Sequence, residues 1–181
     1  MDNLKNCRPM TEDEKNYIKL LFQRKVNIQH KQYICATDCI LSGLDMTQYK
    51  KVVAFRSKLG RFYEALFAYL CNFSHPSKGF DLVDYKNNIY IELKSNWSTD
   101  NYDSKNSKFQ KLVKHKAVNP TCEVIYACLN DNRRGANCDY MHEDNFRIII
   151  GYKTWKYLCS FKNINVDELI NFLRELVREV Y

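Results

Sequence analysis

Hydrophobic positions along the chain keep a helical period in some stretches and a strand period in others. Thr11 with Glu14 three residues on has the form of a capping box, and Tyr17, Ile18, Leu21 and Phe22 follow at helical spacing, so a helix opens there. Ile28 to Gly43 holds no clear period and reads as a short helix with irregular connections. From Asp45 to Asn72 the helical spacing returns through Val52, Phe55, Leu59, Phe62, Leu66 and Leu70. Gly60 interrupts that run, either to let the helix lie close to a neighbour or to mark a break. Ser74 to Lys78, with Pro76, closes it.

Two β-rich runs, Gly79 to Tyr85 and Ile89 to Lys94, flank Lys86-Asn87-Asn88 and predict a hairpin. A polar loop from Ser95 to Asp103 leads into a strongly basic helix, Ser104 to Val118, which Asn119-Pro120 stops. Glu123 to Leu129 is so apolar that it predicts a central strand. After a polar loop, Asn130 to Asn145, come a strand at Phe146 to Tyr152, a short helix near Thr154 to Leu158 and a last helix from Val166 to Val180. The order predicts an α/β fold, a mixed central sheet flanked by helices. With no repeat, low-complexity tract or linker rich in Pro, Gly or Ser, residues 1–181 read as a single domain. Its expected parts are an N-terminal helical segment (1–45), a catalytic core (46–129) and a C-terminal strand with helices (130–181).

Composition adds a sign. Twenty-eight Lys and Arg against 21 Asp and Glu give a net charge of +7, which raises the odds of a polyanionic partner such as duplex DNA or RNA. No apolar run approaches a membrane span, and no hydrophobic signal segment precedes the eight cysteines, so the expected setting is cytoplasmic, with reduced thiols. Cys71, Cys122 and Cys128 read as small buried core residues; a zinc site assembled from Cys122, Cys128, Cys138 and His142 is the alternative, although no Cys-x2-Cys knuckle exists. The chain has no Gly-x-Ser-x-Gly elbow and no Gly-x-x-x-x-Gly-Lys loop, which removes the commonest hydrolase and nucleotide-driven classes.

The chemistry concentrates in the hairpin. Glu92 and Lys94, two apart on a strand, share a face, with Ile91 and Leu93 on the other. Alone this pair is an ordinary surface ion pair. A two-residue loop, Lys86-Asn87 or Asn87-Asn88, puts Asp81 opposite Glu92 or Lys94; a three-residue loop makes Asp84 the rival. Two carboxylates at cross-strand distance repel unless a cation joins them, and Mg²⁺ is the hard ion that takes one or two carboxylates and keeps waters. A lysine beside such a metal can hold and help activate a water for attack on phosphate. A non-catalytic nucleic-acid-binding protein has no use for two carboxylates facing a phosphate.

Asp81 followed by Glu92-Leu93-Lys94 resembles the PD-(D/E)xK nucleases, and small type II restriction endonucleases in particular, over roughly Leu59 to Leu129. Gly79-Phe80-Asp81 stands where that superfamily's name has Pro-Asp. The resemblance implies a Mg²⁺-dependent double-strand endonuclease; a junction resolvase or repair endonuclease of the same superfamily is the alternative. It implies a supporting carboxylate at Glu64, a metal-binding carbonyl at Leu93 and a water-positioning role for Lys94. A cognate DNA methyltransferase follows from the resemblance alone. Cutting both strands of a palindrome asks for a two-fold homodimer, for which the stripe Leu169, Phe172, Leu173 and Leu176 is a candidate surface, unless it is core. Lys105, Lys108, Lys111 and Lys114 are candidates for phosphate contact, although one helix face cannot point all four at DNA. Arg133, Arg134 and Asn96 are candidates for reading bases, since Arg pairs two-pronged with guanine and Asn with adenine.

Overall fold

A computed structural model describes residues 7–26, 46–96, 102–130 and 137–180. The elements are α1 (Glu12–Val26), α2 (Met46–Cys71), β1 (Leu82–Asp84), β2 (Ile89–Lys94), α3 (Tyr102–Val118), β3 (Glu123–Cys128), β4 (Asp139–Met141), β5 (Arg147–Ile150), α4 (Tyr152–Ser160) and α5 (Val166–Val180). The five strands form one sheet in the order β1-β2-β3-β5-β4. The inner strands β2, β3 and β5 run parallel, and the outer strands β1 and β4 pair antiparallel with their neighbours. β3 lies mid-sheet, and its apolar sequence follows from burial on both faces.

The pleat divides the core in two. Ile89, Ile91, Leu93, Ile125, Ala127 and Ile149 point into the larger half, where Ile18 and Phe22 of α1, Phe62, Leu66 and Leu70 of α2, Leu158 of α4 and Leu169 of α5 cover them. Val124, Tyr126, Cys128, Ile148 and Ile150 point the other way, beneath Leu112 of α3 and beside Phe80 and Phe146. The result is a mixed α/β/α sandwich, with α3 on one face and the other helices on the opposite one. None of the described helices is long and apolar enough to cross a membrane.

Local chemistry accounts for most boundaries. The Glu14 backbone N–H donates to Thr11 Oγ1 (3.2 Å), and the Thr11 N–H donates to the Glu14 carboxylate (2.9 Å), so the capping box opens α1 as its spacing predicts. Gly60 does not break α2, which runs through it for 26 residues. Tertiary packing of Phe62, Leu66 and Phe67 outweighs a glycine cost of about 1 kcal/mol. The hairpin loop is longer than expected, four residues between the paired Asp84 and Ile89. Asp84 accepts hydrogen bonds from the N–H groups of Lys86 and Asn87, and Asn88 adopts a φ of 57°, a conformation asparagine tolerates.

Two boundaries near the C-terminus differ from the spacing. The polar stretch 130–145 contains β4, whose three exposed residues carry no apolar alternation to betray a strand; Arg147 fixes it through a two-pronged ion pair with Asp139. β5 stops at Ile150 because Gly151, at φ 71°, turns the chain into α4, and Thr154 then donates to the Cys128 carbonyl. The expected segment Ile28 to Gly43 and the side chains of Val52 and Phe55 lie outside the described residues.

Candidate active site

Pleating sends Glu92 and Lys94 to the α3 side of β2, while Ile91 and Leu93 anchor the strand in the larger core. Leu82 pairs with Ile91, so Asp81, one residue before β1, faces Glu92. This is the register a Lys86-Asn87 loop implies. The Leu93 N–H donates to Asp81 Oδ2 at 2.8 Å, and Lys94 Nζ reaches both acids, 2.9 Å from Glu92 Oε1 and 3.5 Å from Asp81 Oδ2. Asp84 sits at the far end of β1, occupied with the hairpin turn. A strand residue's N–H and C=O point to the same side. The Lys94 carbonyl accepts from Leu129 on the β3 side, and the Leu93 N–H faces Asp81, so the Leu93 carbonyl also lies on the Asp81 side.

A second layer comes from α2 and the segment after it. Ser74 exchanges two backbone hydrogen bonds with Val83 and extends the sheet beyond β1, which carries His75 alongside Asp81. His75 Nδ1 donates to the Asp81 carbonyl (2.7 Å), since a carbonyl can only accept, and its Nε2 lies 3.6 Å from Glu64 Oε2. Glu64 is thus near Asp81 with the imidazole as its direct partner. His75 was not visible as a site residue in the sequence; the signal available was its position just before the Gly79-Phe80-Asp81 motif.

Lys111 is placed differently from its neighbours on α3. Its ammonium donates to Glu92 Oε2 (2.5 Å) and to the Gly79 carbonyl (2.7 Å) and lies 4.6 Å above the Phe80 ring. Gly79, at φ 97°, is a residue whose backbone most side chains would strain. Lys105 and Lys108 are half-buried along α3, Lys114 is exposed on it, and Asn96 is half-buried just past β2; Arg133 and Arg134 lie outside the described residues.

The electrostatics are those of a crowded acidic site. Burial, then the neighbouring Glu92 charge, pushes the Asp81 carboxyl above its ordinary value. Burial and Asp81 do the same to Glu64. Burial alone would raise Glu92, which is 5% exposed, but Lys94 and Lys111 outweigh it and hold the group below its usual range. Three carboxylates and the Leu93 carbonyl form an all-oxygen donor set suited to a hard divalent cation. Lys94 bridges Asp81 and Glu92, Lys111 pairs with Glu92 alone, and His75 stands between Glu64 and the Asp81 main chain.

Two readings that the sequence left open resolve as core. The zinc set does not assemble: Cys122 and Cys128 are buried core thiols, and among the described residues those that approach ligand spacing are His142, Glu143 and Asp144, in a largely exposed turn. The C-terminal stripe is core, with Leu169, Leu173 and Leu176 buried and Phe172 packed against them, so it is not a dimer surface. No curated protein matches the chain. Residues 8–130, from before α1 through β3 and thus containing every side chain of the cluster, match the family described as Eco47II restriction endonuclease.

Proposed function

The chain belongs to the Eco47II restriction endonuclease family of type II site-specific endodeoxyribonucleases, and we propose that it hydrolyses duplex DNA with Asp81, Glu92 and Lys94, using Mg²⁺. The family decides between this class of reaction and the resolvase, repair or purely binding alternatives. The observation that carries the assignment to these residues is Lys94 Nζ in ion-pair contact with both Asp81 and Glu92, the two acids facing each other across the hairpin.

Glu64, Asp81, Glu92 and the Leu93 carbonyl would hold Mg²⁺, which supplies Lewis-acid polarisation of the phosphate and of a bound water. Among the described residues, the Leu93 N–H and Lys94 both meet the Asp81 carboxylate at Oδ2, so Oδ1 is the oxygen offered to a cation. Anchoring by the Leu93 N–H fixes Asp81 to the strand that carries Glu92, so the two acids hold their spacing as a unit. Lys94, on its flexible stem, exchanges a carboxylate for the attacking water and orients it toward phosphorus. The basic helix α3 supplies phosphate contacts from among Lys105, Lys108 and Lys114, not all of which one face can present, and Asn96 with Arg133 and Arg134 supplies base contacts. A two-fold homodimer places one such site on each strand of a palindromic target. A DNA methyltransferase that protects host DNA in the same cytoplasm completes the system.

The test is Lys94→Ala in single-turnover cleavage. The variant should bind duplex as wild type does and cut about 10²–10⁴-fold more slowly. Cleavage at the wild-type rate would remove Lys94 from the reaction.

A further inference from the structure

Glu92 is the most enclosed acid of the site, and each of its oxygens already has an ammonium partner: Oε1 has Lys94 and Oε2 has Lys111. The two lysines are not equivalent. Lys94 sits two residues along the same strand and divides its contacts between two acids. Lys111 comes from α3, across the face of the sheet, and is held at three points: Glu92 Oε2, the Gly79 carbonyl and the Phe80 ring. Leu112 beside it is fully buried against the sheet, which fixes the turn of helix that carries Lys111. The chain just before Asp81 therefore supplies a docking point for the same ammonium that binds Glu92.

We propose that Lys111 is a positioning residue for Glu92: it pins Oε2 and so presents Oε1, the oxygen on the Asp81 side, for metal coordination. The inference rests on the reading that Glu92 is a metal ligand. It separates the α3 lysines by role, with Lys111 facing inward to a carboxylate and Lys114 facing solvent. It also assigns Gly79 and Phe80 a task, since both hold Lys111 where it can reach Glu92. When the metal site fills, Lys94 can release Oε1, while Lys111 keeps all three of its contacts.

The sign of the metal-binding change makes this testable. Removing a positive charge next to a cation site strengthens cation binding if charge is all that matters. Removing a residue that orients a ligand weakens it, by roughly 10–100-fold for groups of this kind. Mn²⁺, as the probe metal, is titrated by electron paramagnetic resonance into the full-length wild-type protein and into Lys111→Met, Lys111→Arg and Glu92→Gln. Lys111→Met keeps an unbranched apolar side chain in place of the stem, and its thermal melt checks the fold. Lys111→Arg keeps both charge and donors and serves as the rescue variant.

The expected result is Mn²⁺ binding weakened about 10–100-fold in Lys111→Met, restored to within about 3-fold in Lys111→Arg, and weakened in Glu92→Gln. Single-turnover cleavage should follow the same order, with duplex binding in EDTA little changed. Mn²⁺ binding in Lys111→Met that equals or exceeds wild type, with Glu92→Gln still impaired, overturns the positioning role and leaves the ligand assignment standing. Unaltered binding in Glu92→Gln overturns the ligand assignment itself, and the role of Lys111 with it.

Discussion

At the scale of residues, the site is a matter of charge count. Glu64, Asp81 and Glu92 against Lys94 and Lys111 leave one net negative charge when all are ionised. A divalent cation would turn that into one net positive charge, the sign a phosphodiester needs. His75 is the residue whose contribution is least apparent from its type. Its Nδ1 holds the Asp81 main chain and its Nε2 lies 3.6 Å from Glu64, so it stands beside both proposed ligands without touching the proposed reacting atoms. His75→Ala should lower kcat about 10–100-fold with the KM for DNA little changed, and His75→Asn, which keeps a donor near the Nδ1 position, should recover part of the loss. Full kcat in His75→Ala, measured by steady-state cleavage, would reduce the contact to a structural one.

At the scale of elements, α1 gives the clearest link between a local motif and stability. Arg8 clamps both Glu14 oxygens, at 2.6 and 2.8 Å, while the same carboxylate caps Thr11. The Arg8 hydrogen bonds hold Glu14 down at about 2, against the burial that would raise it. A carboxyl lowered by folding adds stability above its unfolded pKa, and that stability is lost as pH falls toward the folded value. The Arg8 side chain is 40% exposed, so solvent screening trims the gain to about 2 kcal/mol. Glu14→Gln should therefore melt roughly 4–8 °C below wild type at neutral pH. The gap should narrow as pH drops through the ordinary glutamate range and close near 2. Melting curves across that range check it, and a gap independent of pH would mean that the ion pair contributes nothing.

At the scale of the molecule, what the sequence revealed follows from how local each determinant is. The capping box, the strand period around Glu92 and the apolar run of β3 are short-range patterns, and the fold follows them. Asp81 opposite Glu92 was legible because one hairpin fixes it, even though the loop proved two residues longer than expected. β4 was hidden because its residues are exposed and held by Arg147, 8 residues from Asp139. Lys111 was legible as a basic helix residue; its partner Glu92 was not, because only the packing of α3 across β2 and β3 brings them together. His75 depended on Ser74 pairing with Val83, a bridge with no pattern of its own.

Asp81 and Glu92 are the acids proposed to carry the cut. A digest of long, unmodified duplex DNA decides it, with wild type, Asp81→Asn and Asp84→Asn compared in Mg²⁺ and in EDTA. Wild type and Asp84→Asn should give the same discrete fragments in Mg²⁺ and none in EDTA. Asp81→Asn should cut nothing while still retarding the DNA on a gel. An Asp81→Asn protein that yields those fragments at the wild-type rate would contradict the site assigned to this chain.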